Sequence, residues 1–148
     1  MAQQNAREVF AVKIELTEQQ YRYLLDLVYI GNWVINSTRE DDRIEEYDQV
    51  ESLIFSSCAD HGMKKLIERR RGETVPSRAY AGGGIHDAIE RYEDVTFYEI
   101  LAEELALRDL EGEPLTRENY DRLMDRIDAY LDEFDAHGTE HISVDLDR

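Results

Sequence analysis

Residues 18–36, EQQYRYLLDLVYIGNWVIN, constrain this chain more than any other stretch, because a helix drawn through them is apolar on two sides. Tyr21, Leu24, Leu25, Val28 and Ile35 form one stripe at helical spacing, and Tyr23, Leu27, Ile30 and Val34 form a second. One stripe can line a core. The other needs cover as well, either from a central position in the fold or from a partner subunit. Asn32 falls on the first stripe and requires a hydrogen-bond partner if buried. The longest apolar run, residues 24–35, is interrupted by Asp26 and Asn32 and falls short of the roughly 20 residues of a membrane span, so no membrane partner is expected.

Three threonines mark helix starts. Thr17 has Gln20 three residues on, Thr96 has Glu99 and Thr116 has Asn119, each flanked by apolar residues that can staple the entering chain. Together with apolar periodicity they predict helices at about 18–36, 46–61, 63–71, 85–93, 96–111 and 116–137, with a loop over 72–84. Alternation at Phe10, Val12, Ile14 and Leu16 predicts a strand over about 9–16, and Ile142, Val144 and Leu146 predict another over about 140–146. The expected fold is mostly α within the α+β class: a bundle of about five helices with a small sheet formed by the N-terminal and C-terminal strands. The 148 residues suit a single domain, 1–148.

Charge narrows the partners. The net charge of −17 disfavours DNA, RNA and anionic membrane surfaces. Trp33 and the nine tyrosines are not interleaved with basic residues, so no base-stacking platform is indicated. Lysine supplies only three of the 17 basic residues, a bias that fits either a salt-adapted host or a GC-rich genome. A single cysteine, Cys58, excludes an internal disulfide and suits a reducing, cytoplasmic setting. The opening residues MAQQNAREVF lack the basic and apolar regions of a signal peptide.

The acidity is not uniform. Residues 63–86 carry a net +4 and run into three consecutive glycines. Gly82, Gly83 and Gly84 before a helix bearing His86 can wrap N–H groups around an anion, with Arg69, Arg70, Arg71, Arg78 and Tyr80 adding charge and hydrogen bonds. The segment matches neither a Walker A motif nor GxGxxG. The ordinary alternative is that RRRG ends a helix and the glycines are a flexible connection.

Other clusters have similar double readings. His86 and Glu90 lie one turn apart but supply two metal ligands at most, which a solvated face explains as well. His137 and His141 have ligand-like spacing, but Gly138 interrupts the helix between them, and capping explains His137 and His61. Asp121, Asp125, Asp128, Asp132 and Asp135 form an acidic ridge on the last helix. Asp125 and Asp128 are its nearest approach to a metal pair, although a solvated face in an acidic protein explains them too, and no metal or cofactor is assigned. Glu104 and Arg108, four apart, suggest a half-buried ion pair that sets helix register or positions Arg108 for a ligand. No serine sits in a nucleophile elbow, and Cys58 lies on an apolar stripe.

The segment YEDVTFYEILAEELALRDL, residues 92–110, resembles a block in a family of small uncharacterised bacterial proteins. The shared features are Tyr92, Glu93, Thr96, Phe97, Arg108 and Asp109. The resemblance implies a bacterial cytoplasmic protein and carries no activity with it. The expected function is a non-catalytic protein-interaction or regulatory module, homodimeric, with a further protein partner unidentified. The alternative is a phosphate- or nucleotide-binding protein or enzyme that uses the Arg69–Arg78 segment and the glycine loop.

Overall fold

Thr17 opens the first helix as its sequence directs. Its hydroxyl accepts the Gln20 N–H at 3.2 Å, and the Gln20 side chain accepts the Thr17 N–H at 2.9 Å. Helix α1 then runs Glu18–Asn36. The structure is a computed structural model that describes residues 12–146. Its fold is mostly helical α+β, and packing divides the chain into two units, Met1–Ile85 and His86–Arg148.

In the first unit α1 packs against α2, Glu45–Ser56. Helix α2 has no side-chain cap from its own N-cap residue, Ile44. Asn36, at the end of α1, serves that function from a distance. Its carboxamide accepts the Ile44 N–H at 3.0 Å and donates to the Ile44 carbonyl at 3.1 Å. Glu45, Glu46 and Asp48 in the first turn of α2 face the positive end of its dipole.

After two short 3₁₀ turns the chain forms an antiparallel hairpin, β1 Ile67–Arg70 and β2 Glu73–Pro76, with Ile67 opposite Pro76 and Arg70 opposite Glu73. This overturns the expected helix at 63–71 and much of the loop at 72–84. Arg71 and Gly72 both have positive φ, 51° and 89°, as a two-residue hairpin turn of the primed type demands. Gly72 is therefore a turn glycine rather than a helix stop, and Thr74 and Val75 supply β-branched residues to the returning strand. A single helical turn, α3 Arg78–Tyr80, follows, capped by the Ser77 hydroxyl on the Tyr80 N–H at 3.1 Å.

Among the described residues neither end strand is formed. Residues 9–11 lie outside the described residues. Residues 12–16 and 140–146 have no ladder, and Val12, Ile14, Val144 and Leu146 are exposed. Alternation is compatible with a strand, but a strand also needs a neighbour to satisfy its N–H and C=O groups.

The core of this unit is Leu25, Phe55, Cys58 and Tyr80, surrounded by Tyr21, Tyr29, Ile54, Met63, Leu66, Ile67 and Ile85. The Tyr80 ring meets Tyr29 and Phe55 edge to face, at centroid distances of 5.4 and 5.2 Å. Its hydroxyl donates to Asp26 at 2.6 Å.

In the second unit α4, His86–Asp109, pairs with α5, Tyr120–His137. The two helices expected at 85–93 and 96–111 are one. Thr96 does not cap; the helix continues through it, and its hydroxyl bonds the Tyr92 carbonyl one turn back. Thr116 does not start a helix: the Asn119 side chain accepts its N–H at 2.8 Å in a turn that precedes α5. Ala106, Leu110 and Leu123 form the core with Ile127 and Tyr130, while Ala102 and Phe134 are also buried.

Truncating Phe55 to Ala should lower the unfolding free energy by about 3–5 kcal/mol through the cavity it leaves. Asn36→Ala should cost about 1–3 kcal/mol by removing the acceptor of the Ile44 N–H and the donor to the Asn32 carboxamide oxygen. Urea unfolding followed by circular dichroism measures both, and an Asn36→Ala protein as stable as wild type would remove the role given to that side chain.

Candidate functional site

The basic segment is bound up in its own hairpin. The Arg69 guanidinium donates to the Gly72 carbonyl at 2.9 Å, Arg70 pairs with Glu68 at 2.9 Å, and Arg71 occupies the turn. Arg78 starts α3. Tyr80, expected beside an anion, is buried with its hydroxyl on Asp26. Residues 81–85 make a wide turn in which Gly84 has φ 96°, a conformation that favours glycine, whereas Gly82 and Gly83 have open space where a Cβ would stand. His86 is the first residue of α4 and of the second unit.

A polar cluster that the sequence only half announced lies between α1 and α2. Asn32, the residue expected to need a partner, donates to Asp48 at 2.9 Å and accepts from Asn36 at 2.8 Å. Arg43 grips both oxygens of Asp48, at 2.6 and 2.7 Å. The Arg43 hydrogen bonds hold the Asp48 carboxyl below the usual range, against the opposing effect of burial and with help from Asn32. Glu51 is displaced in the other direction. Burial pushes its carboxyl up and the Asp48 charge adds to this, while Asn32 and Arg43 partly offset it. A cavity of about 150 Å³ beside these groups is lined by Glu51, Asn32, Asn36, Arg43, Tyr29 and Trp33. Since Asp48 is already committed to Arg43 and Asn32, the cluster is built to hold α1 on α2.

The same unit presents apolar surface. A groove of about 950 Å³ is lined by Val12, Ile14, Leu16, Tyr21, Leu53 and Met63, among others. On α1 the second stripe stays outside: Tyr23 is 58% exposed, Leu27 69% and Val34 56%, with Ile30 half-buried.

In the second unit Asp109 is the polar hub. It accepts from the Tyr130 hydroxyl at 2.7 Å and pairs with Arg126 at 2.9 Å and Arg108 at 3.1 Å. The Tyr130 and Arg108 hydrogen bonds hold its carboxyl below the usual range. Arg108 thus takes Asp109 as its carboxylate instead of Glu104, which is exposed. The (i, i+4) pair loses to a neighbour that Tyr130 and Arg126 already orient. Asp125 lines a cavity of about 370 Å³ with Arg122, Arg126 and Asp109, and Asp128 is exposed. The two aspartates are not joined into a metal-ligating group. Among the described residues the group that can hold an ion is Glu133, His137 and His141. The sequence singled out His137 and His141 but not Glu133, which stands one turn before His137, and only the turn at Gly138 brings His141 back to the other two.

Compared with protein-family models, curated proteins and solved structures, the chain matches none. No helix among the described residues is long and apolar enough to cross a membrane.

The Glu51 environment generates a pH prediction. Its pKa is raised on folding, so its ionised form opposes folding above the folded pKa, and this cost vanishes below the unfolded value, near 4.5. Glu51→Gln should therefore raise the melting temperature at pH 7, with the gain fading as pH falls through the acidic range. An equal gain at both ends of that range would show that charge is not the cause.

Proposed function

We propose that this protein is a non-catalytic interaction module that self-associates through the outer face of α1. The observation that carries this is the stripe Tyr23, Leu27, Ile30, Val34. Its 4-3-4 spacing is that of a coiled-coil seam, and three of its four side chains are more than half exposed. A seam of this kind is self-complementary, so a second copy related by a two-fold axis can cover it with the same residues. Exposed Tyr47, Val50 and Leu53 on α2 extend the apolar surface of the unit. A phosphate-binding reading draws less support, because Tyr80, Arg69 and Arg70 spend their hydrogen bonds on Asp26, Gly72 and Glu68.

Sedimentation velocity of the full chain at micromolar concentration tests the proposal. Wild type should sediment as a dimer, and Leu27→Glu with Val34→Glu should sediment as a monomer of unchanged circular dichroism, since both positions are exposed. A monomeric wild type, or a variant that remains dimeric, would overturn it.

A further inference from the structure

Helix α5 ends at His137 because Gly138 adopts φ 58° and ψ −129°, with its N–H closing on the Phe134 carbonyl at 2.8 Å. Two successive turns follow, Glu140 N–H to the His137 carbonyl at 3.2 Å and Ile142 N–H to the Thr139 carbonyl at 3.1 Å. They fold the chain back on the helix end. His141, which a continuous helix would carry a full turn beyond His137, returns instead to Glu133, eight residues earlier. Its Nδ1 lies 2.5 Å from Glu133 Oε1, while His137 Nδ1 lies 3.2 Å from the same oxygen. The two imidazole rings are 4.5 Å apart, centroid to centroid.

We propose that Glu133, His137 and His141 form a binding site for one divalent transition-metal ion of the zinc, cobalt and nickel group. The donor set is two imidazole nitrogens and one carboxylate oxygen, which suits those ions and not calcium or magnesium, whose sites are built from oxygen. The three ligand atoms lie within 4.8 Å of one another. Bonds of about 2.0–2.2 Å at tetrahedral angles place ligand atoms roughly 3.3–3.5 Å apart. The Glu133–His137 separation is already close to this. The His141 contact is at hydrogen-bond length and opens by about 1 Å when an ion comes between the two ligand atoms. The side chains are 39%, 44% and 62% exposed, so an ion reaches them from solvent and they can adjust to it. Two of the ligands sit one turn apart at the end of α5, and the third is brought back by the turns after Gly138. Three protein ligands leave a fourth position for water or for a donor from another molecule.

An ion-paired helix end without metal affinity would have the same resting geometry, so the test reads coordination directly. The untagged full chain is titrated with Co²⁺ and followed by visible absorption, and with Zn²⁺ by calorimetry. The expected result is one equivalent bound, with the intensified Co²⁺ bands of a low-coordinate site. His141→Ala, in the irregular segment beyond α5, should weaken binding by more than about tenfold, since even outer-sphere partners of a metal ligand cost tenfold or more. Asp125→Asn with Asp128→Asn should leave binding unchanged. A Co²⁺ spectrum identical to that of the aqueous ion would overturn the proposal, as would affinity that survives in His141→Ala or disappears with the two aspartates.

Discussion

The first unit depends on one buried carboxamide. Asn36 is 1% exposed, and it holds both the N–H and the carbonyl of Ile44 while donating to Asn32. It thereby joins the end of α1 to the start of α2 in the way a neighbouring strand would. It also anchors the chain Asn36, Asn32, Asp48, Arg43, in which each group satisfies the next. Its Asn32 and Asn36 end is buried, where a polar network stabilises only when every member is paired, and its Arg43 end reaches solvent. No buried side-chain nitrogen or oxygen among the described residues is left without a partner. What the network does not neutralise is Glu51, whose carboxyl stands at its edge with a raised pKa.

Asn36 sets how α1 meets α2, and Tyr80 closes the structure that results. The hairpin that delivers Tyr80 is fastened at its base by Ser77, whose N–H and hydroxyl both donate, to Leu66 and Lys65 carbonyls at 2.8 and 2.7 Å. Tyr80 can then fill the space between Tyr29 and Phe55 and still place its hydroxyl on Asp26. Asp26 interrupts the apolar run of α1, and this bond supplies its reason for being there. The basic residues just before Tyr80 are consequently hairpin residues first.

In the second unit the helices are joined by an analogous device with charges in it. Asp109 at the end of α4 gathers Tyr130 and Arg126 from α5, and the Arg126 guanidinium also lies 5.7 Å from the centre of the Tyr130 ring. Above this, Ala102 and Ala106 give α4 a face with little side-chain bulk. At the far end of α5, Glu133 and His137 occupy the exposed helix terminus, and the turns after Gly138 bring His141 back to them.

The sequence by itself determined the features that depend on near neighbours. The capping box at Thr17, the extent of α1, its two apolar stripes, the need of Asn32 for a partner and the helix stop at Gly138 all follow from residues within a turn or two of each other. Tertiary structure decided the rest, because the deciding groups lie far apart in the chain. RRRG reads as a helix end from its near neighbours, yet Ser77 and Tyr80 lock it as a hairpin turn onto α1 and α2. Thr96 has the sequence of a cap, yet continued backbone hydrogen bonding carries the helix through it. Val12 to Leu16 alternates like a strand but has no ladder to join. Arg108 goes to Asp109 because Tyr130, twenty-one residues further on, also binds that carboxylate. The return of His141 to Glu133 likewise belongs to the turns after Gly138, since residue spacing specifies which side chains share a helix face but not where a chain goes after the helix stops.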